Sequence, residues 1–255
     1  MNSQLNVTNL SLLFSFLLVM IAMGISTKEK LGLSKDILIA TLRAVIQLSL
    51  IAYVLKYVIQ VDNTWLTLLM SLFIITNASW NAHKRNPSQH KAFKSSFLAI
   101  AISTYVTLGV LVLSGSLAFI PSQVIMITGM IASNSMVAIG LCYRNLNSQF
   151  RDQRQQVLEK LALGADVKLA AQSILRESIR VAMQPTVDSA KTVGLVSLPG
   201  MMSGLIFAGI DPIHAIKYQI MVTFMLLSTT SVGAVIAGYS SYKYYFNESQ
   251  QLRDE

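Results

Sequence analysis

Long runs of apolar residues alternate with short polar stretches along almost the whole chain, and most of the polar stretches carry lysine or arginine. Each apolar run is about 18–25 residues long, which is enough for an α-helix to cross a hydrocarbon core of ~30 Å. We therefore predict an all-α, polytopic integral membrane protein that forms a single transmembrane domain over residues 1–255. The seven predicted spans are residues 9–26, 38–60, 65–82, 96–114, 119–143, 192–210 and 215–240.

Composition agrees with this class, because only 13% of the 255 residues are charged and 53% are apolar. A soluble domain carries about 25% charged residues, so a soluble globule is excluded. The one cysteine, Cys142, excludes an internal disulfide framework and a cysteine-rich metal site. Residues 1–9 hold no Lys or Arg, so the first apolar run is expected to remain as a spanning helix rather than be cleaved as a signal peptide.

The net charge of +8 fits either a nucleic-acid-binding surface or the basic loops on the cytoplasmic side of a membrane protein. With seven spans, every Lys and Arg except Arg43, Lys56 and Lys217 falls on one side. The positive-inside rule places that side in the cytoplasm, so the N-terminus is predicted outside and the C-terminus in the cytoplasm. Topology therefore explains the charge, and the expected surroundings are membrane lipid rather than nucleic acid.

Residues 144–191 are the one sizeable excursion from the membrane and are predicted to be a cytoplasmic helical segment. Gly164 should break the helix that continues from the fifth span, Asp166 should cap a new helix, and Pro185 should end or kink it. The new helix is amphipathic. Its apolar positions, three and four residues apart, are Val167, Ala170, Ala171, Ile174, Leu175, Ile179 and Ala182. Two interpretations stay open: an interfacial helix on the anionic inner leaflet, or a helix that docks onto a soluble partner.

The stretch from Glu159 to Ala165 resembles the Glu-Ala-Ala…Gly loop by which ABC-transporter permeases grip their ATPase subunits. It departs from that loop in two ways, since the Glu-to-Gly spacing is one residue shorter and no Leu-Pro follows. The resemblance implies docking of an ATPase subunit on this segment. The docking candidates are Glu159, Gly164, Ala165, Asp166, Arg176 and Arg180.

Three further stretches carry a more specific resemblance, and residues 194–204 are its most distinctive part. The other two are residues 43–48 and 129–136, and the pairs at 208–209 and 218–219 continue the pattern. Together they resemble a family of bacterial permeases associated with iron export and related to plant permeases implicated in aluminium tolerance. The likeness runs from about Arg43 to Met225, with one departure: Leu205 stands where the family often has glutamine.

This resemblance implies a multi-pass permease subunit of the bacterial inner membrane that exports iron as a homodimer, with energy from a separate cytoplasmic ATPase. The chain itself has no Gly-x4-Gly-Lys-Ser/Thr loop, so we expect neither an enzyme nor a bound cofactor. An ABC permease for a nucleotide sugar or other anion is the alternative within this class. A secondary transporter and a membrane enzyme are less favoured, because the spans contain few acids and no paired carboxylates or Ser/His arrangement.

Polar and sulfur-bearing residues inside the spans are candidates for a translocation path. They are Arg43, Gln47, Met130, Asn134, Met136, Met201, Met202 and Gln219. Arg43 would lie roughly 10 Å deep, at a cost of ~2.5 kcal/mol or more. It either snorkels to the headgroups or faces the bundle interior, where it favours gating or an anionic substrate.

The remaining path candidates also have ordinary structural interpretations. Asn134 fits either interhelical hydrogen bonding or a path lining, and methionines in apolar helices usually pack. No histidines or acids have a metal-ligand spacing, so no metal site is predicted. Pro199 and Gly200 should break the sixth span, while Gly200 and Gly204 should allow close helix approach or act as a hinge.

Overall fold

The computed structural model describes residues 9–85, 92–247 and 249–253, and it confirms an all-helical chain. The α-helices in those ranges are α1 (Asn9–Lys28), α2 (Ser34–Val61), α3 (Thr64–His83), α4 (Ala92–Leu113), α5 (Pro121–Asp152), α6 (Arg154–Ala162), α7 (Val167–Thr192), α8 (Gly200–Phe207) and α9 (Pro212–Ser241). Contacts divide the chain into two units, Met1–Val61 and Asp62–Glu255.

The first unit consists of α1 and α2, joined by a short polar connection. Ser26 is buried at this connection, where its hydroxyl accepts hydrogen bonds from the backbone N–H of Leu33 (3.2 Å) and from the Ser34 hydroxyl (3.2 Å). Both helices are long and apolar enough to cross a membrane. The hydroxyl contacts therefore fix the connection between two candidate spans.

The second unit is a bundle in which α5 packs against α3, α4, α7 and α9. One large apolar cluster holds Ile75 of α3, Ile100 of α4 and Ile139 of α5, all fully buried. Small residues let the helices approach closely, since a β-carbon built onto Gly233 of α9 would lie 3.5 Å from the Ser135 side chain on α5. The bundle thus forms around α5 and α9.

Five helices among the described residues are long and apolar enough to cross a membrane: α1, α2, α4, α5 and α9. Helix α3 has 20 residues but buries hydroxyl groups rather than only apolar ones, with Thr67, Ser71 and Ser79 enclosed in the bundle. The integral-membrane class is consistent with these helices. The count of seven spans and the orientation of the termini stay predictions.

The predicted sixth span over residues 192–210, broken at Pro199 and Gly200, differs from the structure in its helices. Helix α7 continues through Pro185 and ends only at Thr192, residues 193–199 are irregular, and α8 has just eight residues. At 1.5 Å per residue α8 is about 12 Å long, too short to cross a membrane alone. Pro199 is the N-cap of α8, so the predicted break is present but separates two helices that differ from the predicted span.

Helix α7 runs antiparallel to α9. At its start, Gly164 and Asp166 share a cavity with residues 249–251, which follow α9. Further along, a β-carbon on Gly238 would lie 3.2 Å from Cγ1 of Ile179. Residues later in α7 therefore lie beside residues earlier in α9, so the second half of α7 lies beside the middle of α9.

The amphipathic helix beginning at Asp166 is present, but its apolar face is already occupied. Ala170, Ala171, Ile174 and Leu175 are buried in the main cluster of the second unit. This apolar face is therefore not free to contact a leaflet or a docking partner, and the docking prediction is left with the turn before α7 and the exposed side chains of the helix. What α7 offers to its surroundings is its polar face.

The C-terminal tail folds back onto the end of α5. The rings of Tyr245 and Phe150 stack with centroids 4.2 Å apart, and Phe246 and Leu252 are both buried. Arg154 Nη1 donates a hydrogen bond of 2.8 Å to the carbonyl oxygen of Arg253. The tail thereby clamps the junction of α5 and α6.

Candidate functional site

The turn between α6 and α7 is a rigid feature at the end of the second unit where α5 ends. Gly164 has φ +88°, a conformation that glycine adopts without steric cost. Its N–H donates to the Leu161 carbonyl (3.0 Å) and the Ala165 N–H to the Lys160 carbonyl (3.0 Å), which is the hydrogen-bond pattern of a Schellman motif. Asp166 then caps α7 by accepting from the Leu169 N–H at 2.7 Å. The predicted cap at Asp166 is confirmed, whereas the helix that continues from the fifth span already ends at Asp152, so the break at Gly164 ends α6 instead.

A groove of about 390 Å³ lies on one side of this turn. Two leucines beside it are solvent-exposed, Leu163 by 88% and Leu169 by 56%. Lys160 and Arg176 add positive charge, and the Lys160 Nζ is held 3.3 Å from the Ser173 hydroxyl on α7. The groove combines apolar knobs with a basic rim, which suits a partner with an apolar pocket edged by acids.

A second cavity of about 520 Å³ lies on the other side of the turn, against the C-terminal tail. The turn contributes Gly164, Ala165 and Asp166, and the tail contributes residues 249–251. Both the tail and the two exposed leucines were missed by sequence reasoning. Exposed apolar residues next to the Glu-to-Gly stretch were the available signal for the leucines.

The predicted docking residues are only partly brought together. Ala165 and Arg176 line the 390 Å³ groove, and Gly164, Ala165 and Asp166 line the tail cavity. Glu159 is exposed on α6 and accepts a hydrogen bond from Gln155 (3.2 Å). Arg180 lies one helical turn beyond Arg176 and pairs with Glu177 at 3.8 Å on the exposed face of α7.

Within the bundle, Ser135 rather than Asn134 makes the interhelical hydrogen bonds. The Ser135 hydroxyl lies 3.2 Å from that of Ser103 on α4 and 3.5 Å from the Thr229 carbonyl on α9. The Asn134 amide instead donates to the carbonyl of Met130, one turn back in its own helix, at 2.8 Å. Asn134 is half-buried, and because this bond lies within α5 it does not join two helices.

The methionine candidates separate into two groups. Met130 and Met201 pack together with Met221 and Met225 in an apolar cluster shared by α5, α8 and α9. Met136 packs against the other, larger cluster. Met202 is buried on α8. Packing explains these side chains, and the methionines of the smaller cluster come from three helices.

Gln219 is the most unusual of the buried candidates. It is 9% exposed on α9, and its Oε1 atom is buried with no hydrogen-bond partner within the described ranges. A buried unpaired amide oxygen costs about 1–3 kcal/mol, so a partner such as water or substrate would stabilise it. Gln219 therefore keeps its place among the path candidates.

Arg43 and Gln47 lie in the first unit, four residues apart on α2. Both side chains are exposed. Their spacing places them on one face of the helix, as the sequence predicts.

Gly200 and Gly204 do not provide a close helix crossing. A β-carbon on either would meet nothing within 4 Å in the described part of the chain, which contradicts the predicted approach. Close approaches occur instead at Gly140, where a β-carbon would lie 2.6 Å from Cδ of Arg85, and at Gly238 against Ile179. The two predicted glycines begin and continue α8 after the break.

The second half of α7 has two different faces. Exposed positions recur at residues 184, 188 and 191, whereas Ala182 is buried and residues 183, 186, 187 and 190 are half-buried. On the exposed face Gln184 donates to both carboxylate oxygens of Asp188, at 2.9 and 3.0 Å. The Lys191 Nζ lies 3.3 Å from Oδ1 of Asp188. These three side chains form a hydrogen-bonded row, which we call the polar row of α7.

An apolar cleft of about 480 Å³ lies between α4 and α9. Exposed Val106, Val110 and Phe224 are among its walls, and Thr107 lies buried in it with its hydroxyl unpartnered among the described residues. Lys217 is the one charged residue lining the cleft. Apolar exposed side chains indicate that this side of the bundle faces lipid.

The described residues contain no group of three or more His, Cys, Asp or Glu side chains that could hold a metal ion. What the geometry offers is a groove of exposed leucines and basic side chains at the α6–α7 turn, a discontinuity at residues 193–199, and polar side chains beside it. These features are typical of a transport protein.

Comparisons with known proteins agree with this conclusion. Residues 9–246 match the family profile described as uncharacterised protein family UPF0014. The chain is 60% identical over 252 residues, 99% of its length and 97% of the relative, to the probable iron export permease protein FetB of Escherichia coli (strain K12).

More distant relatives cover nearly the same length. Identity is 37% over 244 residues to the UPF0014 membrane protein YjkA of Bacillus subtilis (96% of this chain, 98% of the relative). It is 30% over 239 residues to protein ALUMINUM SENSITIVE 3 of Arabidopsis thaliana (94% and 88%). No solved structure matches the chain. The resemblance inferred from residues 43–48, 129–136 and 194–204 is confirmed, and the chain belongs to the UPF0014 family.

Proposed function

We propose that the protein is the membrane permease of an ABC-type exporter that moves iron out of the cytoplasm with a separate ATPase subunit. The observation that carries the proposal is the 60% identity to an iron export permease over 99% of this chain and 97% of that relative. That alignment covers the residues of the bundle helices and of the α6–α7 turn.

The α6–α7 turn is the proposed docking surface for the ATPase. It is rigid, it lies outside the apolar part of the helices, and it presents Leu163 and Leu169 between Lys160 and Arg176. Its apolar neighbours on α7 are already buried in the bundle, so force applied to the turn reaches the helices through packed side chains. A docked ATPase could thus move α7 against α5 and α9.

The proposed arrangement is a homodimer of permeases in the bacterial inner membrane, each chain with its N-terminus outside and its C-terminus in the cytoplasm. Seven crossings require α3 as the third, with α7 and α8 together as the sixth. Arg43, Gln47 and Gln219 remain path candidates, since each places a polar side chain within a predicted span.

Co-purification of a co-expressed ABC ATPase from the same genome tests the partner. Leu163→Glu places a charge on an exposed apolar side chain. Gly164→Pro removes the backbone N–H that donates to the Leu161 carbonyl, and proline cannot adopt the positive φ of Gly164. Both variants should lose the ATPase, whereas the control Gln156→Glu adds the same charge at an exposed α6 position and should retain it. Full recovery with Leu163→Glu and Gly164→Pro would contradict the docking surface.

The substrate is tested by the ATPase activity of the reconstituted pair in vesicles. Iron(II), chelated iron and a nucleotide sugar are added in turn. Stimulation by iron supports the proposal. Stimulation by the nucleotide sugar alone would replace iron with an anionic substrate while leaving the ABC mechanism in place.

A further inference from the structure

The second half of α7 lies at the depth of the apolar part of α9. Ile179 contacts Gly238, and the two helices run in opposite directions. Ser189 is ten residues further along α7, so it lies roughly 15 Å further on, level with Ser228 of α9. Ser228 is in the interior of a helix that is apolar enough to cross a membrane.

Helix α5 gives the same depth independently. The Ser178 hydroxyl donates to Oδ1 of Asn145 at 3.0 Å, which sets the register between α7 and α5. Because the two helices run in opposite directions, Ser189, eleven residues after Ser178 on α7, lies level with Asn134, eleven residues before Asn145 on α5. Asn134 lies in the interior of a second candidate spanning helix. Two registers therefore place the polar row at the same level of the bundle.

At this level the exposed side chains differ between the two sides of the bundle. On α4 and α9 they are uncharged and largely apolar, as Val106, Ile220 and Phe224 show, with Ser228 among them. On α7 they are the polar row, in which the Lys191 side chain is 65% exposed and that of Asp188 55%. A charged side chain at the centre of a bilayer costs ~2.5 kcal/mol or more, so the α7 side cannot face lipid.

The irregular backbone after Thr192 leads to the same conclusion. Residues 193–199 interrupt the helices, and α8 begins in the cluster that contains Val222 and Met225 of α9. Non-helical backbone at membrane depth is tolerated only where it is buried in protein or lines a water-filled cavity. The exposed side chains of this break are apolar, Leu195 by 90% and Val196 by 82%, so the break itself requires cover by protein rather than by water.

We propose that the polar row of α7 (Gln184, Asp188 and Lys191) lines a water-filled path for a hydrophilic substrate across the membrane. A hydrated cation in this path would bind the Asp188 carboxylate and take the place of the Lys191 ammonium beside it. This inference rests on the proposed transport function. It moves Asp188 and Lys191 from the cytoplasmic segment into the membrane.

Cysteine accessibility tests the path on the permease alone in lipid vesicles, without ATPase or iron. Cys142 is buried, so the unmodified chain serves as the blank. Ser189→Cys is a nearly isosteric change on the exposed side of α7. Ser228→Cys is its matched control, the same substitution at the same level but in the apolar cleft. Gln156→Cys on exposed α6 reports the open surface.

A small cationic methanethiosulfonate should modify Ser189→Cys about tenfold faster than Ser228→Cys or more, because only a hydrated thiol ionises and reacts. A bulky polyethylene-glycol maleimide should modify Gln156→Cys but not Ser189→Cys. Equal slow reaction at Ser189→Cys and Ser228→Cys would overturn the path. Reaction of Ser189→Cys with both reagents would instead place it on the open surface and also overturn it.

Failure of this inference differs from failure of the proposed function. If Ser189→Cys is unreactive yet iron stimulates the ATPase, export takes another route through the bundle. If Ser189→Cys reacts as expected and iron does not stimulate the ATPase, the water-filled path is supported and the substrate is not iron.

Discussion

Gly238 shows how a single methyl group can decide the fit of two helices. It lies on α9 where α7 crosses, and a β-carbon there would be 3.2 and 3.3 Å from two side-chain carbons of Ile179. Such distances are tighter than ordinary van der Waals contact, so the Ile179 side chain or α7 would have to shift by a few tenths of an ångström. Position 238 is therefore part of what sets the α7–α9 register.

We expect Gly238→Ala to lower the stability of the detergent-solubilised protein by about 1 kcal/mol or more, because overpacking a tight helix contact is destabilising. The control is Gly109→Ala on α4, where a β-carbon meets nothing within 4 Å. That change should be neutral or stabilising by up to ~1 kcal/mol, since alanine favours the helix. Thermal unfolding measures both, and equal melting temperatures for the two variants would contradict the contact.

Asp166 has a comparably local role. Its carboxylate accepts the Leu169 N–H at 2.7 Å, satisfying one of the free donors at the start of α7. Asp166→Ala should destabilise this helix end by about 1 kcal/mol, whereas Asp166→Asn keeps an acceptor and should change it by much less. Hydrogen exchange of the Leu169 amide measures the difference. Similar exchange in both variants would show that the cap is not what orders the turn.

Residues such as these explain which parts of the site could be predicted from sequence. Gly164 and Asp166 act on the backbone next to them, so the residue types glycine and aspartate are enough to predict a helix break and a helix cap. Ser135 and Asn134 have similar side chains one position apart, and only the packed bundle shows which of them faces α4 and α9. A local sequence pattern does not indicate which residues of distant helices will be in contact.

At the scale of elements, apolar runs predicted α1, α2, α4, α5 and α9 because length and composition suffice to define such helices. The same reasoning failed at residues 192–210. Pro199 and the glycines around it lie within an apolar run, and hydropathy does not register a break in the backbone. The run was therefore predicted as one span with a break only at Pro199 and Gly200, whereas the structure ends α7 at Thr192 and begins α8 at Gly200.

The tail provides a prediction at this scale, since Leu252 is buried against the end of the bundle and Arg253 accepts a hydrogen bond from Arg154. Deleting residues 248–255 should loosen α6 while leaving α4 and α9 unaffected, because the tail contacts lie at the α5–α6 junction. Faster hydrogen exchange confined to residues 150–165 is expected. Leu252→Ala should reproduce it in part, at a cost of about 2 kcal/mol or more. Unchanged exchange in α6 would show that the tail is not a clamp.

For the whole molecule, the two ends of α5 define the two sides of the bundle. This helix has 32 residues and is therefore about 48 Å long, enough to cross the hydrocarbon core and extend beyond it. Ala118 lies just before its start and Gln156 just after its end, and both are exposed. The excess of Lys and Arg after residue 143 predicts that the Gln156 side is cytoplasmic. Moving Lys191 into the membrane leaves that assignment intact, because Arg144, Arg151 and Arg154 remain.

Orientation can thus be read from two positions on one helix. In intact cells a membrane-impermeant maleimide should label Ala118→Cys, whereas Gln156→Cys should react only after the membrane is opened. Labelling of Gln156→Cys alone would invert the whole chain, and an inverted chain would put the α6–α7 turn where no cytoplasmic ATPase could reach it. Labelling of both in intact cells would show that α5 does not cross. The expected pattern would fix the side of the docking turn, and with it the side on which ATP energy enters.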